Sequence, residues 1–386
     1  MPRVDFMRIE SLGIREIHLS LKKPFETSFG TIQHRRILLV EAHCDGITGW
    51  GELTAESGPY YNSECVDAAW IVFQHFVAPR LVNKVVADPS EIRVLLSGIR
   101  GHEMTRAAVE NALWDIEAQQ KGVALARLLG GERTEISSGV SLGIRETVGE
   151  LLDSIESELA AGYQRIKIKI KPGKDVEITA AVRRQFPNIQ LMVDANSAYR
   201  LSDLPLLKKL DAYNLMMIEQ PLEWDEIFEH ARLQAGLSTP ICLDECIHSL
   251  RNARAAIEMG ACRILNIKLG RVGGHTEARE IQELCRKRSV PAWCGGMLES
   301  GIGRAHNIAM SALPGFVRPG DISASQRYWD EDVIDPEVEV TPQGTIRVPT
   351  GPGLGYRVRR NRIERLTVRK ESFPAKASVQ FGESAR

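Results

Sequence analysis

Residues 164–173 read QRIKIKIKPG, which sets Lys167, Lys169 and Lys171 at alternate positions between Ile166, Ile168 and Ile170. A strand turns successive side chains to opposite faces, so the isoleucines share one side and the lysines the other. Two architectures take such a strand. At the edge of a sheet the lysines would block unwanted pairing. In a closed parallel barrel the isoleucines would lie under outer helices and the lysines would point at the barrel axis or its mouth.

The chain downstream separates the two. From ISSGVSLGI (136–144) onward, short apolar strands alternate with amphipathic helices: IQLMVDA, LMMIEQP, PICLDE, RILNIKLG and VPAWCGG. Their polar residues recur at one strand-plus-helix interval, Lys169, Asp194, Glu219, Asp244 and Lys268, in steps of 25, 25, 25 and 24. Each stands at or near the C-terminal end of an apolar strand, where barrel enzymes build their sites. A barrel makes these five neighbours around one mouth; an edge strand predicts none of this. The fold expected is therefore α/β, a (β/α) TIM-type barrel.

Three carboxylates converging on one point repel one another in a low-dielectric pocket unless a cation lies between them. Asp194, Glu219 and Asp244 thus imply a metal, and all-oxygen ligation favours a hard divalent ion such as Mg²⁺ or Mn²⁺. The lysine strands flank the three acid strands, so Lys169 and Lys268 approach a substrate from opposite sides. That suits removal of a proton from the carbon beside a carboxylate, where a cation stabilises the enediolate that forms. Burial and the neighbouring Lys167 favour a neutral amine, hence a base, at Lys169.

Upstream, residues 6–21 and 35–52 alternate in strand fashion and are joined by KKPFETSFGT, which reads as a mobile loop. Three helical patterns follow, SECVDAAWIVFQHFVAPRL, DPSEIRVLLSGI and MTRAAVENALWDIEAQQKG. The organisation expected is an α+β capping domain over 1–130, the barrel over 131–325, a segment 326–372 returning to the cap, and a frayed tail over 373–386.

Composition bounds the partners. The 386 residues are 43% hydrophobic, and 49 basic against 50 acidic residues give a formal charge of −1, which suggests neither nucleic acid nor a solvated acidic tract. No apolar run approaches the ~20 residues of a membrane span, and MPRVDFMRIE lacks the apolar core of a signal peptide. A cytoplasmic protein acting on a small-molecule carboxylate is expected. Seven cysteines, at 44, 65, 242, 246, 262, 285 and 294, show no framework spacing and read as free thiols; no HExxH pair occurs.

The segments KIKIKPG, VDANSAY, IEQPL, CLDE, NIKLGRVGGH and WCGGMLESGIGRAHN, with GWGE at 49–52, resemble the enolase superfamily in its muconate lactonizing enzyme subgroup, from about residue 5 to 370. The resemblance implies a modified, enolase-like barrel with lid loops on the cap. It places the acid/base lysine at Lys169 within the KxK pair Lys167 and Lys169, the opposing lysine at Lys268, and metal ligands at Asp194, Glu219 and Asp244. The nearest branch of the subgroup dehydrates 2-succinyl-6-hydroxy-2,4-cyclohexadiene-1-carboxylate to 2-succinylbenzoate in menaquinone biosynthesis and racemises N-succinylamino acids. A dedicated N-acylamino acid racemase or a dipeptide epimerase would reuse the same core. Members commonly assemble as homo-oligomers.

Weaker substrate contacts are expected from Phe25 in the lid stretch PFETSFGT, Ser141 at the end of the first barrel strand, Asn196, and Gly295, Gly296 and Met297 after the seventh strand. Glu245 follows Asp244 and, on a continuing strand, would face away, which makes it structural. A Schiff-base lysine enzyme leaves the carboxylate triplet without a purpose. A non-catalytic scaffold predicts loss of one member of the series, and none is missing.

Overall fold

The computed structural model describes residues 6–28 and 30–375. Seven parallel strands pair in chain order: Gly139–Leu142, Arg165–Lys169, Gln190–Asp194, Ile218–Glu219, Ile241–Leu243, Ile264–Ile267 and Ala292–Cys294. An eighth, irregular side closes the ring. Val317 N donates to the Ala292 carbonyl at 3.0 Å, and Gly139 N to the Gly320 carbonyl at 2.8 Å, so residues 316–321 bridge the last strand to the first. Pro319 lacks the N–H a regular ladder needs, which accounts for a bridge in place of a strand.

The opening alternation resolves inside this ring. Ile166, Ile168 and Ile170 are fully buried in the large core cluster. Lys167 and Lys169 turn the other way and are buried too. A separate apolar plug of Met192, Met217, Cys242, Ile264 and Trp293 fills the barrel below the charged residues. All seven cysteines are free thiols, and among the described residues no helix is long and apolar enough to cross a membrane.

The cap is an antiparallel sheet of Met7–Glu26, Thr31–Cys44 and Ile47–Leu53, with Thr367–Pro374 on its outer edge. Three details depart from expectation. The first strand runs on through the presumed loop, pairing Phe25 with Ile32 and Glu26 with Thr31, so the hairpin tip begins only after Glu26. The second alternating stretch breaks at Asp45–Gly46, where φ values of 51° and 77° make the two-residue hairpin turn that Asp-Gly favours. Phe373 and Pro374, expected in the tail, pair with Leu12 and Ser11, and the Phe373 ring packs edge-on against Phe73. Residues 376–386 lie outside the described residues.

Helix Glu103–Gln120 lies so close on the third cap strand that a Cβ at Gly49 or Gly51 would collide with the carbonyl oxygens of Ala112 and Ala108. Gly51→Ala is therefore expected to destabilise the protein by about 1–3 kcal/mol, the usual result of overpacking. A urea midpoint equal to that of the wild type would show that the helix lifts without cost.

Carboxylates of the cap fasten it over the barrel. Glu52 accepts from Ser300 N and Gly303 N, both at 3.0 Å, at the start of helix Gly301–Ser311. Glu110 accepts from Thr276 N at 3.1 Å at the start of His275–Lys287. Both use the positive end of a barrel helix, and each of those helices directly follows a strand that lines the mouth.

Candidate active site

The barrel register sets the acids side by side. Asp194 ends its strand opposite Glu219, and Asp244 follows the next strand directly. Lys169 Nζ donates to Asp194 Oδ2 and Asn196 Oδ1, both at 2.6 Å. Across the mouth, Lys268 Nζ lies 2.8 Å from Asp244 Oδ2 and donates to the Tyr61 hydroxyl at 3.0 Å. Arg271 completes this side with an ion pair to Asp244 and a 2.9 Å bond to Tyr61. Lys167 is locked lower in the barrel, at 3.0 Å from Glu219, 3.3 Å from Asp194 and 2.6 Å from Asp321.

Burial and charge act against each other here. Burial disfavours the Lys167 ammonium, yet Asp321, Glu219 and Asp194 outweigh it and hold its pKa well above the ordinary lysine range. Lys268 is held up in the same way by Asp244 against burial. Glu219 moves up to about 7, pushed first by burial and then by Asp194, with Lys167 pulling it down. Asp194 is held below its usual value, Lys169 and Lys167 prevailing over burial. Lys167 therefore acts as a paired cation among three carboxylates.

The donor set fits a hard divalent ion. Asp194, Glu219 and Asp244 offer carboxylate oxygens only, Glu219 is poorly compensated, and Glu245 Oε2 and Asn266 Oδ1 are buried without a partner. Among the described residues no three such groups converge on one point as they stand. Lys169, Lys268 and Arg271 occupy the acids' oxygens instead.

The weaker candidates separate. Asn196 joins the site, accepting from Lys169 and donating to Glu245 Oε1 at 3.0 Å. Ser141 stands beside Lys167 in register, its hydroxyl buried without a partner. A Cβ at Gly295 would collide with the Asn266 amide and lie 2.8 Å from Lys268 Cγ, and one at Gly296 would lie 2.5 Å from the Asp321 carbonyl, so these glycines make room for the barrel's own residues. Met297 packs into the cap core, and Phe25 lines a side cleft with Gly143 and Tyr328. Glu245 departs from expectation: the strand stops at Leu243, alternation lapses, and the carboxylate turns into the site beside Asn196.

Tyr61, Arg271 and Asp321 were not anticipated. Tyr61 lies in the stretch ESGPYYNSE (56–64) and Arg271 in NIKLGRVGGH, both visible in the sequence, but neither sits on the strand interval. Asp321 belongs to the irregular eighth side, which offers no apolar run to count from.

The loop behind Glu219 is pinned by His230, whose Nε2 accepts from Leu222 N at 3.0 Å. Burial lowers this histidine from 6.5 to about 4. With a folded pKa below the unfolded one, its neutral form contributes stability above pH 6.5, and that contribution is lost as the pH falls toward 4. The stability difference between wild type and His230→Gln should shrink by about 2 kcal/mol from pH 7.5 to pH 5. A difference constant with pH in urea titrations would refute this.

A parallel barrel whose mouth carries alternating acids and amines under an α+β cap defines the enolase-type class of enzymes. Residues 11–130 match the family described as mandelate racemase / muconate lactonizing enzyme, N-terminal domain, and residues 150–362 the family described as enolase C-terminal domain-like. The chain belongs to the enolase superfamily, whose members work with a divalent metal. It is 52% identical to an o-succinylbenzoate synthase of Geobacillus kaustophilus, over 94% of this chain and 96% of that one. It is 44% identical to an N-succinylamino acid racemase of Thermus thermophilus, over 94% and 98%. A crystal structure of an enolase superfamily member from Listeria innocua superposes with a TM-score of 0.92 at 41% identity, covering 96% of this chain and all of that one.

Proposed function

We propose that this chain dehydrates 2-succinyl-6-hydroxy-2,4-cyclohexadiene-1-carboxylate to 2-succinylbenzoate, a step of menaquinone biosynthesis, and racemises N-succinylamino acids at the same site. The observation that carries this reading is the placement of two buried lysines, Lys169 and Lys268, on strands separated by the three that bear Asp194, Glu219 and Asp244. The names of the relatives support it. Asp194, Glu219 and Asp244 would hold the cation, Mg²⁺ or Mn²⁺, which supplies positive charge where the substrate carboxylate gains negative charge as its neighbouring proton leaves.

Lys169 takes the proton from the carbon beside that carboxylate, and in the dehydration passes it to the departing hydroxyl. Lys268 holds positive charge on the other side. In racemisation the two lysines exchange parts, one removing the proton and the other returning it on the opposite face. Asn196 orients Lys169, while Tyr61 and Arg271 orient Lys268. Lys167 positions Asp194 and Glu219. The hairpin tip, where Ser28 Oγ donates to the Asn196 carbonyl at 3.0 Å, excludes water from the mouth. A cytoplasmic homo-oligomer is part of the same reading, and light scattering reads the assembly.

A paired assay on one Mg²⁺-loaded sample tests the function: dehydration of the cyclohexadiene followed by absorbance, and α-proton exchange of N-succinyl-phenylglycine followed in D₂O by NMR. Both activities are expected, and both should vanish together on removal of Lys169. Exchange without dehydration would mark a dedicated racemase. Activity on neither, with metal bound, would remove the succinyl assignment and leave relatives such as the dipeptide epimerases as the better guide.

A further inference from the structure

We infer that Arg35, which lines a pocket beside the cap hairpin, binds the second carboxylate of the substrate, the one that ends the succinyl tail. The inference rests on the function proposed above and names the group that selects the tail.

Along strand Thr31–Cys44, Ile37 and Leu39 belong to the core shared with the barrel, whereas Leu38 and Val40 belong to the cap's own core. Alternation puts Arg35 on the barrel side with Ile37 and Leu39. It is 2% exposed. Among the described residues its guanidinium makes one long hydrogen bond, Nη2 to the Thr54 carbonyl at 3.4 Å, and Nε has no partner. The other deeply buried arginines are treated differently: Arg165 pairs with Asp321, Arg271 with Asp244, and Arg304 with Asp332 at 3.8 Å. A buried guanidinium with no carboxylate within ion-pair distance is unfavourable unless an anion arrives to meet its donors.

The surroundings place that anion near the reacting lysines. Arg35 lines a pocket of about 410 Å³ with Ile32, Gln33, Glu56, Ser57 and Tyr60. Its one partner, Thr54, packs against Gly270 so closely that a Cβ there would collide with the threonine hydroxyl, and Gly270 is two residues beyond Lys268. Glu56 of the same pocket lies within the fields of Arg35, Lys268 and Lys169. Both proposed substrates carry a carboxylate at the reacting carbon and a second one at the end of a succinyl group, and they differ elsewhere. One cation set apart from the metal-ligand acids would recognise the shared tail in either.

The test compares N-succinyl-phenylglycine with N-butanoyl-phenylglycine, in which a methyl group replaces the distal carboxylate. Arg35→Gln should lower kcat/KM for the succinyl substrate by about 10- to 100-fold, chiefly through KM, and change the butanoyl substrate by less than about 2-fold. Arg35→Lys should recover part of the selectivity. Equal losses on both substrates, or no loss on either, would overturn the inference. Binding of 2-succinylbenzoate against 2-butanoylbenzoate gives a reading independent of turnover, with at least tenfold preference expected in the wild type and none in Arg35→Gln. Absence of wild-type turnover on succinyl substrates would refute the proposed function, whereas equal binding of the two benzoates by the wild type would refute the role of Arg35.

Discussion

Lys169→Ala is expected to abolish dehydration and α-proton exchange together, by about 10⁴-fold, the upper range for removal of a general base. Lys268→Ala should divide them. Dehydration needs a base on one side only, so it should persist with a reduced rate set by the lost positive charge. Racemisation needs an amine on each side. In D₂O, Lys268→Ala should therefore exchange the α-proton of one enantiomer of N-succinyl-phenylglycine, by way of Lys169, and leave the other untouched. The geometry supports so selective an outcome because each lysine has its own anchors, Asp194 and Asn196 for one, Asp244 and Tyr61 for the other. Loss of Lys169 leaves Asp194 with Lys167 at 3.3 Å, so the fold and the cation site should survive. Calorimetric titration with Mg²⁺ checks that affinity is not weakened. Equal exchange of both enantiomers by Lys268→Ala would show that Lys268 is not the second acid/base.

Much of this site was legible because a parallel barrel repeats. One strand, one helix and one polar residue at the strand end recur, so a count along the chain stands in for position around the mouth. That is why Lys169, Asp194, Glu219, Asp244 and Lys268 could be read together. The count fails wherever the repeat fails. Asp321 stands on a side without a regular strand, and Glu245 follows a strand that ends one residue before Asp244. Tyr61 comes from the cap and reaches Asp244 and Lys268 across the domain seam, a contact no periodicity encodes. Gly295 and Gly296 show a different limit: a glycine signals close approach but does not say by what, and here the visitors are Asn266, Lys268 and Asp321. The hairpin at Asp45–Gly46 was readable from its dipeptide and was obscured by the alternation running through it.

Glu219→Gln should separate stability from function. At and below the mouth the acids Asp194, Glu219, Asp244, Glu245 and Asp321 face the cations Lys167, Lys169, Lys268, Arg271 and, deeper in the barrel, Arg165, but the pairing is uneven. Asp244 has two cations and a tyrosine, and Asp194 has two lysines. Glu219 has Lys167 at 3.0 Å and accepts a hydrogen bond from Asn266 Nδ2 at 2.6 Å, and it sits in register with Asp194. A glutamine keeps an oxygen for Asn266, removes a charge that burial and Asp194 disfavour, and leaves Lys167 with Asp194 and Asp321. The metal-free variant is therefore expected to unfold at a temperature equal to or above that of the metal-free wild type. The same change takes one oxygen anion from the proposed cation site. The rise in melting temperature on adding Mg²⁺ should disappear, and turnover should fall by about 10³-fold with the loss of the charge that steadies the transition state. Such a result would identify Glu219 as a residue held in place for function at the expense of the folded state. A variant that unfolds earlier than the wild type without metal, yet keeps its Mg²⁺ response and turnover, would show instead that Glu219 is a structural acid and that the cation is held by other oxygens.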